Sequence, residues 1–346
     1  MCLWRNSTYE LDTFAPSVLH PIAMIEIPIH LLASYIVIFK TPPTMTSVKW
    51  MMVFMHFCSA FLDLFLSALS TQYYLVPVFG GYMRGILTDL GVSSIIQGHM
   101  FIVSICVAGV SILGFFESRY NAIVKRNRGS IFKTKGRLLY IVLHYTYAFC
   151  FTLPLLFYPL DQEEGRRFVK EALPCVPHSI IDHPDFYLFI DKPYILAIYY
   201  GMTATVFEIE AIYYFTRTAL YLSSNKAKSQ RTYKLQVQFF IALTFQIMIP
   251  LCVLILPIVY LITAFITKHF DQIANNIALN FLALHGLTSS TVMLIVHKPY
   301  REAVINIFRL RYICNRKPAI SVSEQSIMAV SSVVVIQRVS RVSHRI

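Results

Sequence analysis

Apolar residues in this chain gather into seven stretches, each of the roughly 20 residues that carry a helix across a hydrocarbon core. They run near residues 18–39, 48–70, 94–116, 137–159, 194–216, 237–262 and 273–297, with polar segments between them, the longest at 160–193. Inside the stretches the polar positions are few and fall at helical spacing. In the second, His56, Ser59, Asp63, Ser67 and Ser70 recur three and four residues apart, which puts them on one face. In the first, Glu26 and His30 are one turn apart; in the third, Gln97, Ser104 and Ser111 share a face, with Gly98, Gly109 and Gly114 allowing close packing. The pattern predicts an all-α polytopic membrane protein, a bundle of seven transmembrane helices.

Composition removes the soluble alternative. The 346 residues are 56% hydrophobic and only 14% charged, where a soluble domain carries about 25% charged residues. A net charge of +12 raises nucleic acid as a partner, but the basic residues lie between apolar runs and not among aromatics on a polar stretch. No nucleic-acid binding is expected. The same residues orient the bundle: 23 of the 30 Lys and Arg fall on one set of alternating segments and 7 on the other. The basic set faces the cytoplasm, so the N-terminus is expected outside and the C-terminus inside. Residues 1–17 then form an extracellular N-terminus without a cleavable signal, 18–297 the bundle, 298–317 a juxtamembrane amphipathic segment and 318–346 a disordered Ser-rich cytoplasmic tail. Cys314 is a candidate palmitoylation site. Asn6-Ser7-Thr8, the sole N-glycosylation sequon, falls on the outer side.

Four acids, Glu26, Asp63, Glu208 and Glu210, lie within predicted spans and cost about 2.5–3.5 kcal/mol each on insertion scales. Without a mid-span Lys or Arg, they are expected to meet His, Ser and Tyr. Glu26, His30, His56 and Asp63 form an intramembrane polar network, read either as a switch that holds an ion or as interhelical glue. Gln97, His99, Tyr199, Tyr200, Tyr260, Asn276 and Asn280, near the outer ends of spans three, five, six and seven, are candidate ligand contacts. Ordinary packing, or anchoring of tyrosines at the interface, is the alternative reading. The seven cysteines show no metal spacing, and neither metal nor cofactor is expected. Cys2 and Cys175 alone fall on the oxidising side and are the candidate disulfide. Pro154, Pro250 and Pro257 interrupt spans four and six, and span six is a candidate hinge.

At the inner end of span three, Glu117-Ser118-Arg119-Tyr120 is similar to the acid-Arg-Tyr element of seven-helix receptors, with Ser118 inserted. It reads as a latch in which a carboxylate holds Arg119 in one state, or as a plain basic anchor. Longer stretches are more specific: IEIPIH (25–30), KTP (40–42), MTSVKW (45–50), residues 69–77, GVSIL (109–113), LPC (173–175), FFIALTFQIMIP (239–250), HGL (285–287) and HKPYR (297–301). In this order they resemble the nematode serpentine receptors of class H over residues 1–303. The resemblance implies a chemosensory receptor in the plasma membrane, in the cilia of sensory neurons. It also implies a small environmental or pheromone-like ligand and a heterotrimeric G protein as partner. Glu117, Arg119, Tyr120, Pro299, Tyr300 and Arg301 are assigned to activation and G-protein coupling. The seventh span lacks the NPxxY of rhodopsin-like receptors. Metalloprotease, P-loop and nucleophile-elbow motifs are absent, so no enzyme is expected. The rival reading is a ligand-gated cation channel of the seven-span olfactory type, which requires an inside N-terminus.

Overall fold

A computed structural model describes residues 2–42, 45–125, 135–158, 160–224 and 230–308. The first long helix, α1 (Phe14–Phe39), buries Glu26 and His30 while it exposes Met24, Ile25, Leu31 and Phe39. Polar inside and apolar outside inverts the soluble rule and suits a bundle whose solvent is lipid. Helix α2 (Thr46–Leu64) ends in a π-turn (Phe65–Leu69). Two strands follow, β2 (Thr71–Leu75) and β3 (Gly80–Arg84), after the short N-terminal strand β1 (Cys2–Leu3). Beyond a single turn, α3 (Ile86–Asp89), comes α4 (Ser94–Ile123), then α5 (Lys135–Cys150) and α6 (Leu153–Leu156). The next segment carries α7 (Gln162–Ala172), α8 (His178–Ile181) and β4 (Tyr187–Leu188). It leads into α9 (Pro193–Ser224), α10 (Gln230–Thr267), β5 (Phe270–Asp271), α11 (Gln272–Ala283), α12 (His285–Val296) and α13 (Lys298–Ile307).

Six helical segments among the described residues are long and apolar enough to span a membrane, and α9, with 32 residues, follows the fourth of them. Span boundaries shift by a few residues from the expected ones, mostly outward, because helices continue past the apolar run. Two prolines behave differently from expectation. Helix α10 runs unbroken through Pro250 and Pro257, whereas span four breaks between Cys150 and Leu153, with Pro154 in the first turn of α6. Proline costs little there, because its missing N–H has no helical partner to lose. Span seven breaks at Leu284, where no proline occurs.

Contacts divide the chain into Met1–Arg301 and Glu302–Ile346. Of the second unit, 302–308 are described; Cys314 and the Ser-rich tail lie outside the described residues, as do parts of both basic loops, 126–134 and 225–229.

One end of the bundle carries a small folded cap. β2 pairs antiparallel with β3, and β3 with β4; β1 lies parallel to β5. Tyr73, Leu75, Tyr82, Val169, Leu173, Ile181, Phe186, Leu188 and Phe270 form its apolar core, with Cys2, Trp4 and Cys175 packed on it. Cys2 is disulfide-bonded to Cys175, with Cα atoms 5.8 Å apart. Arg5 grips Asp271 with two hydrogen bonds of 2.8 and 2.9 Å, and Asp271 also caps α11 by accepting from the N–H groups of Ile273 and Ala274. The Arg5 bond, with the cap hydrogen bonds, holds the Asp271 carboxyl below the usual carboxylate range. That contribution is in place above the ordinary carboxylate pKa and is lost as pH falls through the folded value. Glu10, fully buried, accepts from the backbone N–H of Arg5 and of Ser7, and Arg84 pairs with Asp12.

Gly81 sets how closely β3 approaches β2. A Cβ there would stand 2.1 Å from the Tyr73 carbonyl oxygen and 2.9 Å from the Tyr74 Cα, both backbone atoms. Gly81→Ala is expected to destabilise the protein at or above the upper end of about 1–3 kcal/mol. Gly80→Ala, which meets only side chains at 3.0 and 3.1 Å, should cost less. A thermal-shift comparison of the two purified variants checks this; equal shifts would contradict it.

Candidate functional site

Three groups of residues hold the chemistry. The first lies within the bundle. Ser67 donates to Glu26 Oε2 at 2.8 Å, Ser290 Oγ lies 3.0 Å from His30 Nδ1, and the Gly286 N–H donates to Asp63 Oδ1 at 2.7 Å. His56 Nε2 lies 3.1 Å from the His30 carbonyl and from Ser34 Oγ, and its Nδ1 is 3.3 Å from Ser290. The break in span seven belongs to this group. A helix that restarts at His285 presents free N–H groups, and the Asp63 carboxylate takes that of Gly286. Glu210 is met from α5, by the Tyr140 hydroxyl and by His144 Nε2 at 3.2 Å. Glu26, Asp63 and Glu210 are thus met by serine, histidine, tyrosine and a backbone amide, whereas Glu208 is exposed on α9.

The second group is the set of candidate ligand contacts, which the structure does not bring together in one pocket. Asn276 donates to the Tyr9 carbonyl at 2.8 Å, and Tyr260 donates to Asn275 at 3.0 Å, so both are engaged in seating the cap. Gln97 donates to the Val92 carbonyl at 2.7 Å and closes the turn that starts α4. His99 Nδ1 contacts Thr152. Tyr199 stacks on Phe151, with ring centroids 4.7 Å apart, and lines a cavity of about 740 Å³ between α5 and α9. His144, Tyr147, Met202, Thr203 and Phe207 line it too. Tyr200 and Asn280 each bury an oxygen that has no hydrogen-bond partner among the described residues. Sequence reasoning placed the pocket at the outer ends of four spans, where the cap's own hydrogen bonds now stand. The α5 side was missed, because its tyrosines and histidine fall in a stretch that reads as plain apolar helix.

The third group is at the other end of α4. Glu117 does not hold Arg119. Its carboxylate receives Arg137 Nε and Nη2, both at 2.8 Å, together with Asn121. Residues two apart on a helix point to different faces, so the inserted Ser118 separates the acid from the arginine. Arg119 is buried with its guanidinium 4.2 Å from the centroid of the Phe239 ring, and its Nε has no hydrogen-bond partner among the described residues. Phe239 packs on His297 (5.4 Å), which lies 2.8 Å from Gln246 and 5.4 Å from the Tyr300 ring. The buried Tyr300 hydroxyl is 3.0 Å from Thr41 Oγ1. Tyr120 packs between Tyr213 and Tyr214 of α9. Pro299 starts α13, and Arg301 donates to the Ile295 carbonyl at 2.9 Å. A continuous run of contacts therefore joins α4, α10, the end of α12, the start of α13 and Thr41, just past the end of α1. Thr41, Phe239 and Gln246 fall inside the stretches KTP and FFIALTFQIMIP but, like Arg137, were given no role from sequence, since none looks unusual without its partner.

The family profile described as "Serpentine type 7TM GPCR chemoreceptor Srh" matches residues 10–310. Serpentine receptor class H-72 of Caenorhabditis elegans is 27% identical over 297 residues, which are 83% of this chain and 83% of that protein.

Proposed function

Because the chain belongs to the serpentine class H chemoreceptors, a family of multi-pass membrane receptors, we propose that it binds a small environmental or pheromone-like molecule and activates a heterotrimeric G protein. It does so from the plasma membrane of sensory-neuron cilia, with its N-terminus outside. The observation that carries this reading is the family match over residues 10–310. Two features support it. The capped end of the bundle holds a disulfide, which suits an oxidising exterior. The opposite end holds a buried arginine stacked on an aromatic ring, with no acid paired to it among the described residues.

Ligand binding shifts α10, the Phe239 ring leaves the guanidinium, and Arg119 becomes available to the G protein. The test is a G-protein activation assay on the full chain in cultured cells, screened with fractionated small-molecule extracts. Arg119→Ala at equal surface expression is expected to reduce the ligand-driven response at least about tenfold, equivalent to about 1.4 kcal/mol of coupling. An undiminished response would remove Arg119 from the mechanism.

A further inference from the structure

Glu26, His30 and Asp63 are the most deeply buried ionisable cluster among the described residues, with exposures of 0%, 4% and 0%. Each side chain is fastened at one polar atom and leaves another without a hydrogen-bond partner among the described residues, two of these, His30 Nε2 and Asp63 Oδ2, lying within ion-pair distance of each other. Ser67 takes Glu26 Oε2 and leaves Oε1; Ser290 takes His30 Nδ1 and leaves Nε2; the Gly286 amide takes Asp63 Oδ1 and leaves Oδ2. Ligand atoms of the three residues all lie within 4.8 Å of one another. We propose that these residues form an intramembrane binding site for a divalent transition-metal ion of the zinc class.

Charge is the first reason. Two carboxylates share this site, and neither α1 nor α12 carries a lysine or arginine. The single one on α2, Lys49, is 14 positions before Asp63, about 21 Å along the helix. A divalent ion balances two carboxylates. Donor type is the second reason. Magnesium and calcium take oxygen ligands, whereas an imidazole nitrogen beside carboxylate oxygens suits zinc and its neighbours. Geometry is the third. His30 Nε2 and Asp63 Oδ2 are 3.3 Å apart. Two ligand atoms about 2.1 Å from one tetrahedral zinc are separated by roughly 3.4 Å.

The outer partners also match what a metal site requires. A histidine that binds through Nε2 carries its proton on Nδ1, and Ser290 is placed to accept it. The amide of Gly286 fixes the rotation of the Asp63 carboxylate, and only glycine permits that approach. A Cβ at position 286 would lie 2.4–2.5 Å from the Asp63 carboxyl atoms. The ligands come from α1 and α2 and their outer partners from α2 and α12, so a bound ion would tie three helices together.

The experiment uses the full chain in nanodiscs, purified through a tag without histidine, stripped with chelator, reloaded with Zn²⁺ and desalted. Wild type is expected to retain one zinc per chain that Glu26→Gln and Asp63→Asn do not retain, both near-isosteric changes chosen to preserve the fold. His30→Ala should lose it as well. Ser67→Ala should weaken binding about 10–100-fold without abolishing it, as outer-partner changes do. Size-exclusion profiles identify the variants that remain folded. If wild type retains no zinc, or folded Glu26→Gln and Asp63→Asn retain as much as wild type, the cluster shares protons instead and the proposal falls.

Discussion

Glu117→Ala is expected to destabilise the folded receptor by about 3–5 kcal/mol, the cost of removing one partner of a buried ion pair. Glu117 and Arg137 expose only 4% and 10% of their side chains, and Arg137 reaches the carboxylate through two nitrogens. Alanine at 117 leaves the guanidinium in a low-dielectric setting without that carboxylate. The double variant Glu117→Ala/Arg137→Leu should recover much of the loss, since apolar replacement of both partners is often neutral. Melting temperatures of the four proteins in one detergent form a double-mutant cycle. A single variant as stable as wild type would show that the pair does not bind α4 to α5.

The second large effect is at the cap. Cys2→Ser is expected to lower stability by about 2–4 kcal/mol, because the bond closes a loop of 173 residues and holds β1 beside β5. Cys175→Ser should match it, and the double variant should be no worse than either. Reductant should bring wild type to the level of the variants and leave the variants unmoved. Additive losses from the two single variants would mean that the cysteines act separately.

How far the sequence could be read depended on where each signal is stored. The seven spans were legible because length and apolarity are local properties. Burial of Glu26, His30 and Asp63 followed from the cost of acids in lipid and from helical spacing. The cap sheet was not legible: strands of five residues such as TQYYL and GGYMR lack a run long enough for alternation to declare itself. The break at Leu284 was hidden for a different reason, since the carboxylate that meets the restarted helix, Asp63, is 223 residues from Gly286 in the chain. The latch was misread because Glu117 and Arg119 are near in sequence but on different faces of α4. Likewise, spacing along the chain could not reveal the proposed metal site, whose ligands lie on α1 and α2 and whose outer partners lie at the end of α2 and on α12.

Chain orientation is the point on which the proposed mechanism rests, and topology tests it most directly. The cap cysteines and the Asn6 sequon are at one end of the bundle, and Arg119 lies toward the far end of α4, a helix of 30 residues and about 45 Å. Epitope tags at the two termini would be probed in intact and permeabilised cells, with a glycosidase shift at Asn6 scored in parallel. The account predicts an N-terminal tag that is reached in intact cells, an Asn6-dependent shift, and a C-terminal tag reached only after permeabilisation. An N-terminal tag protected until permeabilisation would contradict it. The disulfide would then face a reducing compartment and Arg119 would be on the side away from any G protein.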